Sequence, residues 1–136
     1  MTPAQELNAL ASELLKTFEM DLRPDDRNPL TRVTVVGPKK LKKVEAAMEQ
    51  VFGVAFKPAG TSAIWKNLVN SLVKGVGGIK RDQTLFQKEL EPQVFLYCAF
   101  WPWESDPGRI SVRVGLWAID AKVRDQLTAA LSGKGA

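Results

Sequence analysis

Gln93-Val94-Phe95-Leu96-Tyr97-Cys98-Ala99-Phe100-Trp101, and beyond it Arg109-Ile110-Ser111-Val112-Arg113-Val114-Gly115-Leu116-Trp117-Ala118-Ile119, is the stretch that decides the fold. The first run is apolar at odd and even positions alike, as in a strand that lies inside a sheet with both faces covered. The second alternates. Ile110, Val112, Val114 and Leu116 fall on one face, and Ser111, Arg113 and Trp117 on the other. Pro102 to Gly108 supplies the turn between them, so the pair reads as a hairpin. Asp120 then caps a closing helix carried by Val123, Leu127 and Leu131. Residues 132–136, like residues 1–2, are expected to fray.

Towards the N-terminus the clearest element is a first helix. Thr2 and Gln5 form a capping box, Pro3 suits the first turn, and Leu7, Leu10, Leu14 and Phe18 recur at helical spacing, with Ala11 and Leu15 widening the stripe. Residues 23–29, with two prolines and three aspartates or asparagines, read as a loop. Thr31–Val36 is β-branched and reads as a strand. Gly37-Pro38 turns the chain into a helix over 39–52 with an inward stripe of Leu41, Val44, Met48 and Val51. Val54–Phe56 reads as a second short strand. Strand, helix and strand with tight joints predict parallel neighbours and a right-handed crossover. A further helix is expected through Ile64, Leu68, Leu72 and Val76, stopped by Gly75, Gly77 and Gly78. Residues 79–91 fit a short helix or an edge strand. The expected architecture is a single α+β domain over 1–136. It has a mixed sheet with packed helices in the order αβαβα(x)ββα, ending in the hairpin and terminal helix.

Composition narrows the functional classes. Apolar residues make up 45% of 136, enough for a core without staples. Cys98 is the only cysteine, so neither an intramolecular disulfide nor a cysteine-based zinc site is available, and its apolar surroundings mark it as a buried small hydrophobe. There is no histidine. That removes the commonest general base, the commonest metal ligand and every Ser-His or Cys-His nucleophile pair. The first residues lack the basic and apolar stretches of a signal peptide, and no apolar run approaches the ~18 residues that span a bilayer. The expected compartment is the cytoplasm, with no membrane partner and no cofactor.

The net charge of +4 is unevenly spread. Residues 1–31 hold three basic and six acidic side chains, net −3; residues 32–88 hold eleven and three, net +8; residues 89–136 hold five and six, net −1. A basic middle between mildly acidic ends points to an anionic partner.

Four groups of residues could carry chemistry. Lys39, Lys40, Lys42 and Lys43 crowd the start of a helix, where partial positive charge favours acids, so each is misplaced by ~0.3–1 kcal/mol at low salt. They make either a solvated face or an anion contact. Lys74, Lys80 and Arg81 flank Gly75-Val76-Gly77-Gly78, which is either a flexible turn or a close backbone approach to phosphate. The order helix, Gly-x-x-Gly, a helix if residues 79–91 form one, two strands and helix is similar, in topology only, to KH RNA-binding modules, which would place RNA at these glycines, although the stretch between the preceding strand and the glycines is long and Arg81 stands where an apolar residue is usual. Trp101, Trp103, Arg113 and Trp117 could form core, a protein interface or a base-stacking surface. Glu19, Asp21, Asp25 and Asp26 cluster without calcium-loop spacing. Asp25 with Asp120 and Lys122 forms only a distant echo of a nuclease pattern. The expected function is therefore non-enzymatic: contact with DNA or RNA through the basic centre, or alternatively a protein-interaction module (a small inhibitor, adaptor or assembly subunit, phage- or plasmid-encoded by type). In that alternative the hairpin edge and the tryptophans form the surface and the lysines meet an acidic protein, and a homo-oligomer is a further option.

Overall fold

A computed structural model describes residues 1–26, 28–53, 84–103, 106, 108–118 and 120–132. The expected strand at 54–56, the helix through Ile64 to Val76 and the glycines at 75–78 lie outside the described residues. The parallel pairing and the KH-like order depend on them.

Helix α1 (Pro3–Phe18) opens on the expected capping box: the Gln5 amide donates to the Thr2 hydroxyl at 3.2 Å and the Thr2 amide to Gln5 Oε1 at 2.8 Å. Leu7, Leu10, Ala11 and Leu14 are buried. Leu15, expected to widen that stripe, is 53% exposed, because Leu7, Leu10, Ala11 and Leu14 already span the buried arc and Leu15 lies past its edge. Glu19 ends the helix in the left-handed region (φ 56°), a reversal that sends Met20 into the core.

The segment read as a loop instead holds a short strand, β1 (Arg23–Asp25), paired antiparallel with β2 (Asn28–Val36). Prolines at 24 and 29 disguise the pair in the sequence. Pro24 lies on the edge strand β1, where a missing N–H is tolerated, and Pro29 precedes Thr31, the first residue of β2 paired with β5. Helix α2 (Pro38–Phe52) follows Gly37 directly and buries Val44 and Met48, with Leu41 half-buried. Val51 departs from its expected place and is 40% exposed in the last turn. Phe52 takes the inward position there, packing 6.0 Å from Phe86.

Residues 84–91 form strand β3 (Thr84–Glu91), so the edge-strand alternative holds over these positions. With β4 (Val94–Pro102) and β5 (Ile110–Ala118) it completes a five-stranded sheet in the order β1-β2-β5-β4-β3, every pair antiparallel. The hairpin register sets Trp101 against Ser111 and Tyr97 against Gly115, and β4 lies inside the sheet. Helix α3 (Ala121–Leu131) starts where Asp120 accepts from the Lys122 amide at 2.7 Å.

The three helices among the described residues share one face of the sheet. Leu7, Leu14, Val44, Met48 and Leu127 join Phe86, Leu96, Cys98, Phe100, Val112, Val114 and Leu116 in a single core. Fully burying each large apolar side chain there contributes about 1.5–3 kcal/mol. On the other face Leu85, Tyr97 and Ala99 form a smaller buried cluster edged by Phe95, Trp101 and Trp117. The alternation expected for β5 is therefore observed, and so is the burial of β4 on both sides. Among the described residues no helix is long and apolar enough to cross a membrane.

Gly115 lies between β2 and β4 with no room for a side chain. A Cβ there would stand 2.5 Å from the Leu30 carbonyl oxygen and 2.8 Å from Tyr97 Oη. Gly115→Ala is expected to cost about 3 kcal/mol through forced displacement of backbone, read as a lowered urea midpoint at unchanged slope. An unchanged midpoint would show that this crossing does not fix the strands.

Burial raises the Tyr97 hydroxyl from its usual value of 10 to about 12, and burial likewise pushes the Cys98 thiol upward. The folded state thus keeps protons that the unfolded chain releases. The stabilisation is complete below the unfolded values and is lost as pH rises through the folded ones. For Tyr97 the window is pH 10 to about 12 and the loss about 3 kcal/mol. Denaturation midpoints across that window should fall, and Tyr97→Phe should flatten the fall.

Candidate functional site

The lysines sit where the helical period puts them. Lys39, Lys40, Lys42 and Lys43 are all exposed on the first turns of α2. Gly37 offers no side-chain cap and the first turn holds no acid, so these ammonium groups lie at the positive end of the helix with no acid in their own turn. Lys39, Lys40 and Lys43 line an open cavity of about 560 Å³ together with Thr17, Phe18 and Glu19 from the end of α1. Lys42 is exposed outside it. Among the described residues no ion pair involves any of the four. Lys74, Lys80 and Arg81 lie outside the described residues.

The aromatic candidates gather on the sheet face opposite the one that the three described helices pack against. Trp101 and Trp103 project from the end of β4, and Arg109, Ser111 and Arg113 from the facing part of β5. The Arg113 guanidinium stands 4.9 Å from the Trp101 ring centroid, and Arg109 stands 5.6 Å from that of Trp103. The result is a two-rung ladder of tryptophan and arginine. Trp103 is held at two further points: its amide donates to the Arg109 carbonyl and its Nε1 to Ser111 Oγ, both at 2.9 Å. Arg113 pairs with Asp25 at 3.0 Å and Arg109 with Asp106 at 3.4 Å. Trp117 stands apart at the other end of β5, under Arg124 of α3 at 4.4 Å.

Arg109 and Arg124 are the residues that sequence pattern alone does not single out. Arg109 shares the period of two with Ser111 and Arg113, but only the hairpin register sets it against Trp103. Arg124 reaches Trp117 through the docking of α3, which no local spacing encodes.

These two groups meet at one end of the sheet. Val36 of β2, Ile110 of β5 and Pro102 of β4 form one cross-strand row. Gly37, Arg109 and Trp103 are the next residues outward on the same three strands. A Cβ on Gly37 would lie 3.9 Å from the Gly108 carbonyl oxygen. The start of α2 therefore abuts the β4–β5 connection.

Three of the candidate carboxylates, Asp21, Asp25 and Asp120, are engaged, and Glu19 acts through its backbone alone. Glu19 terminates α1, Asp21 pairs with Arg23 at 3.1 Å, Asp25 with Arg113, and Asp120 caps α3. Among the described residues no group of three carboxylate, thiol or imidazole side chains is placed to hold a metal ion. No protein-family model, no curated protein and no solved structure matches this chain.

Arg113 links an acid on β1 to an indole on β4 and is only partly open to water. Arg113→Ala should lower stability by about 1–2 kcal/mol, from the lost stacking and from a carboxylate that loses its cation. Arg113→Lys should recover only part, because an ammonium cannot stack as a plane while bonding Asp25. Equal stability of all three proteins by chemical denaturation would show the ladder to be incidental.

Proposed function

We propose that this chain is a non-enzymatic binding module for a polyanion, DNA or RNA foremost, and that the lysines opening α2 supply its phosphate contacts. The observation that carries this reading is the exposure of Lys39, Lys40, Lys42 and Lys43 without a described ion-pair partner, three of them around one cavity. Four cations on the end of a helix that already carries partial positive charge are unfavourable to the isolated fold, and an anion relieves them. The absence of histidine, the engagement of Asp21, Asp25 and Asp120 and the burial of Cys98 support binding over catalysis. A second reading has its own observation. Val35 and Trp103 are 46% and 37% exposed on one sheet face, an apolar patch that suits a protein partner with an acidic rim.

Each lysine that neutralises a phosphate releases a counterion, so affinity should fall with salt at a log–log slope of roughly −0.7 to −0.9 per contact. Replacing Lys39, Lys40, Lys42 and Lys43 together with glutamine should make that slope shallower and leave the circular dichroism spectrum unchanged. Preference among sequences should hardly move, since phosphate contacts position a protein without reading bases. Anisotropy titrations of a labelled oligonucleotide across a salt series test this. Absence of binding at low salt, with salt-dependent binding to an acidic protein instead, would favour the second reading.

A further inference from the structure

We propose that the end of the sheet where Gly37, Arg109 and Trp103 meet selects single-stranded over duplex nucleic acid, with the Trp103 indole as the base-stacking platform and Lys39 and Lys40 as the neighbouring phosphate contacts. This rests on the polyanion reading above and narrows it to a class of ligand.

Trp103 is a large ring that the core does not take. It is 37% exposed, whereas Phe86, Tyr97 and Phe100 are at most 2% exposed. Yet it is not loose. Its backbone amide, its Nε1 and one side of its ring are each engaged, by the Arg109 carbonyl, Ser111 and the Arg109 guanidinium respectively. An aromatic ring fixed in place while part of it stays open loses little freedom when a second planar group stacks on it. A nucleobase is such a group, and stacking on aromatic rings is tolerant of base identity.

The charge needed for the backbone comes from the first turn of α2, which follows β2 on the far side of β5. Asp106 holds Arg109 at 3.4 Å and offsets much of its charge, so Arg109 orients the ring more than it attracts phosphate. Lys39 and Lys40 have no such offset among the described residues. Neighbouring strands lie about 4.8 Å apart, which puts Gly37 roughly 10 Å from Trp103 across β5. A few nucleotides of extended strand cover that distance, with a base on the indole and the next phosphates beside the lysines. A duplex cannot use the same surface, because its bases are already stacked on one another and present no free π-face to Trp103. Lysines alone bind both forms; the ring discriminates.

The test compares an oligonucleotide with the duplex of the same sequence, bound to the wild-type chain, Trp103→Ala, Trp103→Phe and Lys39→Gln/Lys40→Gln. Trp103→Ala should weaken single-strand binding roughly 5- to 100-fold and leave duplex binding and the single-strand salt slope unchanged. Trp103→Phe should restore most of the loss, which separates stacking from mere support of the turn. The lysine pair should weaken both forms and make both salt slopes shallower. Salt-dependent binding of both forms that is indifferent to Trp103, or equal loss for both, would overturn this inference and leave the polyanion reading standing. No binding of either form by the folded wild-type chain would overturn both.

Discussion

The hydroxyls of Thr31 and Tyr97 meet at 2.5 Å across Gly115, and the rest of the sheet depends on that crossing. Thr31 belongs to β2 and Tyr97 to β4; neither strand pairs with the other, because β5 runs between them. Only a residue without a Cβ lets the tyrosine ring lie over β5 and reach the far strand. The contact therefore joins three strands at one row, Thr31–Gly115–Tyr97, and fixes the registers of both pairings together. A slip of one residue would turn Val112, Val114 and Leu116 away from the helices and put a side chain under the tyrosine. Burial of the hydroxyl pair is costly unless each finds a partner, and here each is the other's.

The second face of the sheet has a different character from the helix-bearing one. Trp101 Nε1, Trp117 Nε1, Arg113 Nε and Gln87 Oε1 are buried there and make no hydrogen bond among the described residues. A buried polar atom without a partner costs about 1–3 kcal/mol. Part of that cost is offset for the indoles by the arginines stacked on Trp101 and Trp117, whose cations favour the ring faces. The helix-bearing face is packed by aliphatic and aromatic groups whose burial leaves no such atoms among the described residues. Most of the apolar core therefore lies on the helix side, and the planar rings and fixed cations lie on the other with the Thr31–Tyr97 crossing.

Much of this was legible in the sequence where a local rule agrees with tertiary packing. The capping box at Thr2, the two-sided burial of β4, the alternation of β5 and the cap at Asp120 are all local patterns that the fold keeps. Failures occur where a non-local partner overrides the local signal. Arg23–Asp25 is a strand because β2 offers it an edge, not because Arg-Pro-Asp favours extension. Val51 yields its inward place to Phe52, which finds the Phe86 ring. Thr84–Glu91 has no strong period of its own, since Leu85 and Phe86 are buried on opposite faces. The candidate site divides the same way. Exposure of the α2 lysines follows from helical spacing, whereas their nearness to Trp103 follows only from the row Val36–Ile110–Pro102.

That nearness also explains how the fold carries four lysines at the unfavourable end of a helix. The cavity that receives Lys39, Lys40 and Lys43 is walled by the last turn of α1, the helix end that bears partial negative charge, and by Glu19 at its cap. The negative end of one helix thus faces the overcharged positive end of the next. Neither makes an ion pair across the gap among the described residues, so the compensation is diffuse and screened by salt. Half a charge from a helix end and one carboxylate do not balance three ammonium groups. The surplus remains positive and faces water, beside a ring that the core leaves partly bare. An extended strand of alternating phosphates and planar bases matches that sequence of groups better than a compact anion would, since a compact anion satisfies the lysines and leaves Trp103 unused.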